Sequence, residues 1–486
     1  MQTSFKKYYT ILKLRDCGPQ QSSGILVATF WHFLAALSLL FVGTLGGACS
    51  PLQLPNETLA ERLAYNEFIK SRYQVDPEWW KIFQDSQLNS LVARALENNI
   101  DLAKASLNVT RALYQLRKTQ GGLIPSFSGG GGVSTSRRID AGDNFRPSFS
   151  TDLRLNYELD IWGKTWNSVS SAEFEYYATT EDLESLKATL INGVVDSYYH
   201  LAYLNDALAA QEITLKNYQA LAQNIQIKYE AGKVPAVEPA QAAQQVINTE
   251  NTILDLTNQK RDVLLALRDF LNLLPTAPLG IQEPSLAGFI MPEVNLNIPL
   301  AVLANRPDLR AQEFRVFKAF KNIKVAERAW LPSITLGAAL GSSGSNLGNI
   351  FNTATASGSV SLNLPFLQWN EVLWNLKISE VDFESARLDF EKALTTALNE
   401  VDVYLHSYQN AQKALENTSR KFTYDLRISD YYRDRYESGA AELSDWLNAL
   451  NTVNSARLST LNSRYQVIQY LNMVYKAMSG RYLENI

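Results

Sequence analysis

Hydrophobic residues recur at heptad spacing through a long stretch in the second half of the chain. Residues 369–438 contain neither Gly nor Pro, the two strongest helix breakers. Apolar side chains there alternate four and three residues apart, with Gln412 and Ser419 in the gaps: Leu394, Leu398, Val401, Leu405, Tyr408, Leu415, Phe422 and Leu426. At about 1.5 Å per residue, this spacing predicts a helix of roughly 100 Å that packs as in a coiled coil. The pattern stops at Gly439, and a second helix is predicted from Leu443.

A second pattern, with a period of two, covers residues 149–161. One side carries Phe149, Thr151, Leu153, Leu155, Tyr157, Leu159 and Ile161, and the other carries Ser150, Asp152, Arg154, Asn156, Glu158 and Asp160. This alternation predicts a β-strand, with a hairpin partner near residues 124–136 and counterparts near 334–340 and 360–366. Two interpretations stay open: a strand on a soluble core, or a strand of a transmembrane β-barrel with its polar side in the lumen.

The chain repeats itself at a constant offset. Pro125 and Pro332, Trp162 and Trp369, and the glycines of two Tyr-Glu-x-Gly turns, Gly232 and Gly439, are each 207 residues apart. A constant offset over many landmarks indicates an internal duplication. We therefore divide the chain into an export signal (1–48), an N-terminal segment (49–86), repeat 1 (87–271), a linker (272–297), repeat 2 (298–481) and a tail (482–486).

Each repeat is predicted to contain a helix, a hairpin, a long helix, a turn and a further helix. The long helix of repeat 1 should cover about residues 166–231. Its apolar positions, with Gln211 in the gap, are Leu201, Leu204, Leu208, Leu215, Tyr218, Ala222, Ile225 and Tyr229. The first helix of repeat 2 should open at Arg306-Pro307-Asp308, because Pro and Asp favour a helix start.

The N-terminus has the features of a lipoprotein export signal. Basic residues precede an apolar run at 25–42, and small residues lead to Cys49. The mature chain is expected to begin at an acylated Cys49, although Gly46 stands where such signals usually carry Leu. An uncleaved membrane anchor is the alternative, because the apolar run is only slightly shorter than a spanning helix.

Composition excludes several classes of function. The net charge of −4 argues against a general nucleic-acid partner. Two cysteines, three histidines and no recognisable Ser/His/Asp set give no support for an enzyme, a metal site or a cofactor. The helical residues His200 and His406 are expected between packed helices, and four methionines give no methionine-lined route for copper or silver.

The number of predicted strands decides whether one chain could form a membrane barrel alone. One chain supplies only four strands, and an open sheet edge is not tolerated in lipid because its backbone groups would lack partners. If the strands cross a membrane, several chains must therefore share one barrel, and three chains would give about twelve strands.

The sequence resembles the TolC/OprM outer-membrane factors, in their lipoprotein branch of drug-efflux channels. The resemblance covers about residues 79–481 and rests on WWKIFQDSQLNSLVARALENNIDL, YELDIWGK, NRPDLRAQE, AERAWLPSITL and the two Tyr-Glu-x-Gly turns. It implies an α+β membrane protein, a homotrimer in which four strands per chain form a shared twelve-stranded barrel in outer-membrane lipid. It also implies a periplasmic coiled-coil α-barrel, and an equatorial domain that includes residues 49–86. The implied partners are a periplasmic adaptor (membrane-fusion) protein and an inner-membrane efflux transporter.

The resemblance also implies a periplasmic gate at the helical tips. The acidic residue six positions after each turn glycine is Glu238 after Gly232 and Asp445 after Gly439. Tyr436 matches a tyrosine that helps to hold the gate closed, and Tyr229 is its repeat equivalent. Ala441 stands where some members carry a gate arginine, and Asn448 where some carry a second acidic residue. Asp445 and Glu238 have a simpler alternative role, which is to compensate the charge of a helix N-terminus.

Three functions are therefore compared. The leading hypothesis is the outer-membrane duct of a tripartite efflux system, with Asp152, Arg154, Asn156 and Glu158 facing the lumen. The alternatives are a periplasmic coiled-coil scaffold without a pore, and the outer-membrane duct of a type I protein secretion system. The alternating strand favours a duct, because a scaffold has no need of a lipid-facing stripe.

Overall fold

A computed structural model of the chain describes residues 75–136, 145–287, 289, 300–346, 348 and 350–482. These residues belong to one unit, residues 72–486. Cys49, the export signal, most of the N-terminal segment, part of the linker and most of the tail lie outside the described residues.

Repeat 1 contains four helices and one hairpin. The elements in chain order are α1 (Ser86–Asn98), α2 (Ile100–Gln120), β2 (Ser126–Ser136), β3 (Arg146–Leu159), α3 (Lys164–Glu230) and α4 (Val237–Phe270). A two-residue strand, β1 (Val75–Asp76), precedes them. The long helix α3 agrees with the predicted range 166–231 to within two residues at each end, and the further helix predicted after the turn is α4.

Repeat 2 has the same order with one helix fewer at its start. Its elements are α5 (Pro307–Arg328), β4 (Ser333–Gly344), β5 (Ala354–Asn363), α6 (Trp369–Glu437) and α7 (Leu443–Ala477). A last short strand, β6 (Arg481–Tyr482), pairs with β1. The predicted start of α5 is confirmed, with Pro307 in its first turn.

The four long strands form one antiparallel sheet in the order β2-β3-β4-β5. Among the described residues, neither β2 nor β5 has a partner on its outer edge. The limits of two predicted strands were wrong. The strand predicted near 360–366 is β5, which begins six residues earlier at Ala354 and ends at Asn363, because Pro365 opens a 3-10 turn. Ile161 is not on β3, which ends at Leu159.

Pairing in register gives the sheet two different faces. One row across it contains Phe127, Leu155, Ala338 and Gly358, and the next contains Gly129, Leu153, Leu340 and Ala356. The intervening rows lie on the opposite face, around Asp152, Arg154, Asn156 and Glu158 of β3. The other residues of these rows are short and mostly polar: Ser126, Ser128, Ser357, Ser359, Ser361, Thr335, Thr355, Ala339 and the glycines between them. The alternation predicted for β3 therefore extends across all four strands.

The strand β3 leads into α3 through a hydrogen-bonded junction. Asp160 accepts hydrogen bonds from the backbone N–H groups of Thr165 (2.9 Å) and Trp166 (2.8 Å), which satisfies two donors of the first helical turn. Gly163 adopts φ +70°, a conformation that favours glycine. The indole of Trp162 donates to the carbonyl of Pro332 at 2.7 Å, next to β4. These bonds fix the direction in which the helix leaves the sheet.

The main core lies where α1, α3, α4 and α7 meet. Its fully buried side chains include Leu88, Leu91, Val194, Leu204, Leu267, Ile468 and Leu471. Trp79 enters from the N-terminal side, and its indole donates to the buried Asn472 at 3.0 Å. Tyr198 donates to Asp85 at 2.6 Å, and Asp85 in turn caps the first turn of α1.

The seam predicted for α6 is half right. The column at Leu394, Val401, Tyr408, Leu415 and Phe422 is buried or half-buried, as predicted. The second column lies one residue earlier than predicted, at Ala397, Tyr404, Ala411, Thr418 and Asp425, while Gln412, Ser419 and Leu426 are exposed. The small alanines fit in the packed core, and Leu398 and Leu405 lie on its flank. The seam predicted for α3 is confirmed except at Tyr229, which is 42% exposed.

The two helical histidines differ in environment. His200 is stacked on Tyr465 with ring centroids 4.9 Å apart, and burial lowers its pKa. The prediction that His406 also lies between helices was wrong: its side chain is 70% exposed and lies 3.6 Å from Asp402 one turn away. Among the described helices, none combines the length and apolarity needed to cross a membrane.

Candidate functional site

The two helical hairpins of the chain end in equivalent turns. Gly232 (φ +67°) and Gly439 (φ +76°) both adopt the left-handed conformation. In the first turn Lys233 N–H bonds to the carbonyl of Lys228 at 2.8 Å, and in the second Ala440 N–H bonds to that of Arg435 at 2.8 Å. This is the Schellman arrangement, in which the glycine closes the last helical turn. Both turn glycines therefore have the structural role predicted from the sequence.

Two of the predicted gate residues meet directly. The hydroxyl of Tyr436, near the end of α6, donates a hydrogen bond to Glu238 Oε2 at 2.9 Å, in the first turn of α4. The Tyr436 ring is stacked on Trp446 with centroids 5.5 Å apart, and Lys228 Nζ lies 5.1 Å from its centre. Burial raises the pKa of the Tyr436 phenol and the Glu238 carboxylate raises it further, so the phenol remains a donor. The bond joins the α6–α7 hairpin to the α3–α4 hairpin.

The other two predicted gate residues are not part of this contact. Tyr229 has an exposed side chain and does not join the hydrogen bond. Asp445 is exposed in the first turn of α7, where a carboxylate compensates the charge of a helix N-terminus.

An open groove of about 320 Å³ lies between α6 and α7 beside Asp445. Its other lining residues are Asp425, Ile428, Tyr432, Asn448, Ala449 and Thr452. Asp425 is only 8% exposed and is paired with Lys421 at 2.6 Å. Sequence reasoning missed Asp425, because a carboxylate does not count toward a heptad seam.

Sequence reasoning also missed a set of polar contacts between the hairpins. Gln211 of α3 pairs with Asn454 of α7, and Tyr218 of α3 donates to Asn451 of α7 at 2.8 Å. Asn451 donates to Gln245 of α4 at 2.9 Å. The only signal in the sequence was Gln211, which occupies a gap in the heptad pattern.

The polar face of the sheet carries the predicted lumen-facing residues. Arg154 Nε lies 2.7 Å from Asp152 Oδ2 on the same strand, so this pair is locally neutral. Asn156 lies in a row with Ser126, Gly337 and Ser359, and Glu158 in a row with Thr335 and Ser361. The structure places all four predicted residues on one face, opposite the leucines.

Within the described part of the chain, no group of three or more His, Cys, Asp or Glu residues has a geometry that could hold a metal ion. Cys49, the predicted lipidation site, lies outside the described residues.

Comparison with known proteins agrees with this architecture. The family described as outer membrane efflux protein matches residues 91–273 and 298–480, two segments of equal length that are offset by the same 207 residues at both ends. Toxin and drug export protein A of Aggregatibacter actinomycetemcomitans is 39% identical over 92% of this chain and 97% of its own. The probable outer membrane lipoprotein SilC of Salmonella typhimurium is 25% identical over 89% of this chain and 94% of its own.

The fold is also shared with solved structures. The CmeC outer membrane channel of Campylobacter jejuni superposes with a TM-score of 0.79 at 24% identity, over 85% of this chain and 89% of that one. This likeness confirms the fold class predicted from the sequence.

Proposed function

The chain belongs to the family of outer membrane efflux proteins, and from this membership we propose that three copies form the outer-membrane duct of a tripartite export machine. The family consists of efflux proteins, which confirms the prediction that the chain is not an enzyme. The proposal concerns how the described residues form the wall, the lumen and the gate of such a duct.

The two-faced sheet with open edges is the observation that carries the proposal. A four-stranded sheet whose apolar face is exposed and whose outer strands lack partners among the described residues is unstable in lipid as a single copy. Three copies, joined β5 to β2, would close it into a barrel of about twelve strands. The polar rows would then line the lumen, with Asp152, Arg154, Asn156 and Glu158 as its charged and amide side chains.

Aromatic side chains at the two ends of the sheet support a membrane position. Trp162, Trp166 and Trp369 are exposed where the strands meet the long helices, and Phe145 and Phe351 are exposed at the opposite end. Aromatic girdles flank the apolar band of outer-membrane barrels in this way.

The hairpin tips are proposed to form the gate. Each chain has two helical hairpins and therefore two hairpin tips, so a trimer would bring six tips to one axis. The bond from Tyr436 to Glu238 ties the α6–α7 hairpin to the α3–α4 hairpin, and a hydrogen bond to a charged group contributes about 1.5–3 kcal/mol. A partner that binds the open arrangement more tightly would shift the equilibrium toward it. We assign this role to a periplasmic adaptor that joins the duct to an inner-membrane transporter.

Two relatives support proposals on membrane attachment and on cargo. SilC is by name a probable outer membrane lipoprotein, and basic residues, an apolar run and small residues precede Cys49 here, so a lipid on Cys49 is proposed as a second anchor beside the barrel. One acyl chain binds a membrane only marginally, so the barrel supplies most of the attachment.

The relative at 39% identity exports toxins and drugs by name, and we propose organic compounds of this kind as cargo. That name also favours the second candidate, a duct for secreted protein.

Conductance in planar bilayers tests the proposal. The purified trimer should conduct, and Tyr436→Phe should raise the resting open fraction at least about tenfold, since it removes one charge-assisted bond per chain while keeping the ring on Trp446, and about 1.4 kcal/mol already corresponds to tenfold. Tyr424→Phe is the matched control, because Tyr424 lies on the same helix with an exposed side chain. A protein that never conducts would refute the duct.

A further inference from the structure

The contact between the two hairpins changes character along its length. On the sheet-proximal side, α3 meets α7 through the main core, where Val194, Leu204, Ile468 and Leu471 are fully buried. At the tips, a second and smaller apolar cluster contains Tyr218, Ile225, Ala242, Leu443 and Leu447.

Between these two clusters lies a layer of side-chain amides, the amide layer: Gln211, Gln245, Asn451 and Asn454, with Thr214 and Tyr218. Gln211 and Asn454 form a reciprocal pair, in which Gln211 Nε2 donates to Asn454 Oδ1 (3.0 Å) and Asn454 Nδ2 donates to Gln211 Oε1 (3.2 Å). Thr214 Oγ1, whose single proton is shared with the nearer carbonyl of Ala210 (3.0 Å), lies 3.3 Å from Asn454 Oδ1. A second set of bonds lies beside the first: Tyr218 donates to Asn451, and Asn451 donates to Gln245 of α4.

The amide layer is buried at Gln211 and Tyr218 and half-buried at Thr214, Gln245, Asn451 and Asn454, although it is polar. Gln211 has no exposed surface at all, and Tyr218 is 4% exposed. Burial raises the pKa of Tyr218 to about 12, so it is neutral and donates at any physiological pH. The Gln211 amide, which has no access to water, therefore depends on its partner across the hairpin boundary.

Amides and apolar side chains respond differently when two helices separate. An apolar contact loses its burial free energy when water enters. An amide pair exchanges its protein partners for water at small net cost, but an amide left buried without a partner is strongly unfavourable. The boundary between the hairpins is therefore easiest to open at the amide layer and hardest to open at the main core.

We propose that the amide layer is the hinge line of the gate, at which the α6–α7 hairpin parts from the α3–α4 hairpin while the main core stays closed. Its members are positioning residues: they set the balance between closed and open tips. This inference rests on the proposed function, because it assumes that the tips open.

The hinge line makes two substitutions act in opposite directions. Asn454→Ala leaves the Gln211 amide buried without a partner in the closed state only, so the open fraction should rise roughly tenfold. The double substitution Gln211→Leu with Asn454→Leu replaces the pair with an apolar contact of similar size, so opening would expose two leucines. Its open fraction should fall at least about fivefold below the native value. Ser455→Ala is the control, because Ser455 is the next residue on α7 and is exposed.

Bilayer conductance of the full trimer measures these open fractions, and hydrogen exchange measures the same equilibrium without current. In Asn454→Ala, backbone protection should fall in residues 443–454 and stay unchanged in 465–475; in the double leucine variant it should rise in 443–454. Open fractions that move in the same direction in both variants would overturn the hinge line. A loss of protection that extends equally to 465–475 would do so too, because it would indicate general destabilisation. If no variant conducts, Tyr436→Phe included, the duct itself fails, and the exchange data still decide the hinge line.

Discussion

Replacing Leu155 with Arg tests whether the apolar face of the sheet meets lipid. The apolar row on β3 extends from Phe149 to Leu159. Ten residue steps of about 3.3 Å, at a tilt of about 40°, rise roughly 25 Å, which equals the height of the apolar band of an outer-membrane barrel. Leu155 is four steps from Leu159 and six from Phe149, and so lies about 10 Å and 15 Å from the two boundaries, near the midplane.

An arginine at that depth on the lipid side costs about 2–4 kcal/mol per chain, or about 6–12 kcal/mol per trimer. Asn156→Arg is the matched control, because the neighbouring residue faces the opposite side in a row with Ser126, Gly337 and Ser359, where short side chains leave room. It should leave the free energy of folding within about 0.5 kcal/mol of the native value.

The free energy can be measured from urea titrations of trimer insertion into lipid vesicles, with the two arginine variants and the native protein in parallel. Equal losses in Leu155→Arg and Asn156→Arg would show that β3 is not a barrel strand. A negligible loss in Leu155→Arg would show that the apolar face meets water instead of lipid, because an unpaired arginine is costly against lipid and against apolar protein alike.

Three further predictions concern charge, lipid and pH. Asp445→Asn should reduce cation preference at low salt and have little effect at high salt, because screening mutes a ring of three charges; unchanged selectivity at low salt would leave Asp445 as a helix-end charge. Cys49→Ser should remove the acyl chain and block normal maturation while the barrel still inserts, and mass spectrometry that finds native Cys49 unmodified in the mature protein would contradict lipidation. Asp196 accepts a hydrogen bond from Tyr465 at 2.9 Å, yet burial raises its pKa, so native stability should fall as pH rises through that pKa. Asp196→Asn keeps the acceptor and removes the charge, so thermal melts should show its advantage growing as pH rises above 3.8, the ordinary pKa of an aspartate, and through the raised pKa of Asp196. His200 interacts electrostatically with Asp196, so both proteins carry His200→Gln in this comparison.

The sequence was sufficient to predict the order of elements, because Gly and Pro mark their limits and periods of two and of seven separate strands from helices. The α6 seam shows where this method fails. The heptad pattern places Leu426 in the buried seam. In the structure the neighbouring Asp425 is buried instead, with its carboxylate paired with Lys421. A prediction based on hydrophobicity misses a charged residue that is buried together with its ion-pair partner. The internal repeat does predict the buried position: when the seam of α3 is shifted by 207 residues, its buried Tyr218 falls on Asp425.

The contacts between hairpins were harder to predict than the hairpins themselves. Tyr436 and Glu238 are 198 residues apart in the sequence, and only the resemblance to a family brought both to attention. The pair Gln211 and Asn454 had no such support. Polar contacts between distant segments depend on the rotation of each helix about its own axis, and periodicity constrains that rotation only where the contacting side chains are apolar.

The duplication has an evolutionary consequence that reaches beyond symmetry. Six half-length subunits could enclose the same tube as three duplicated chains, but every hairpin would then carry the same residues. Fusion of two copies into one gene released each half from that constraint. At equivalent positions repeat 1 carries Tyr218 and Ala222, whereas repeat 2 carries Asp425 and Ser429, both buried. The two hairpins of one chain thus differ in sequence, which would allow one to stay fixed while the other moves in the proposed gate.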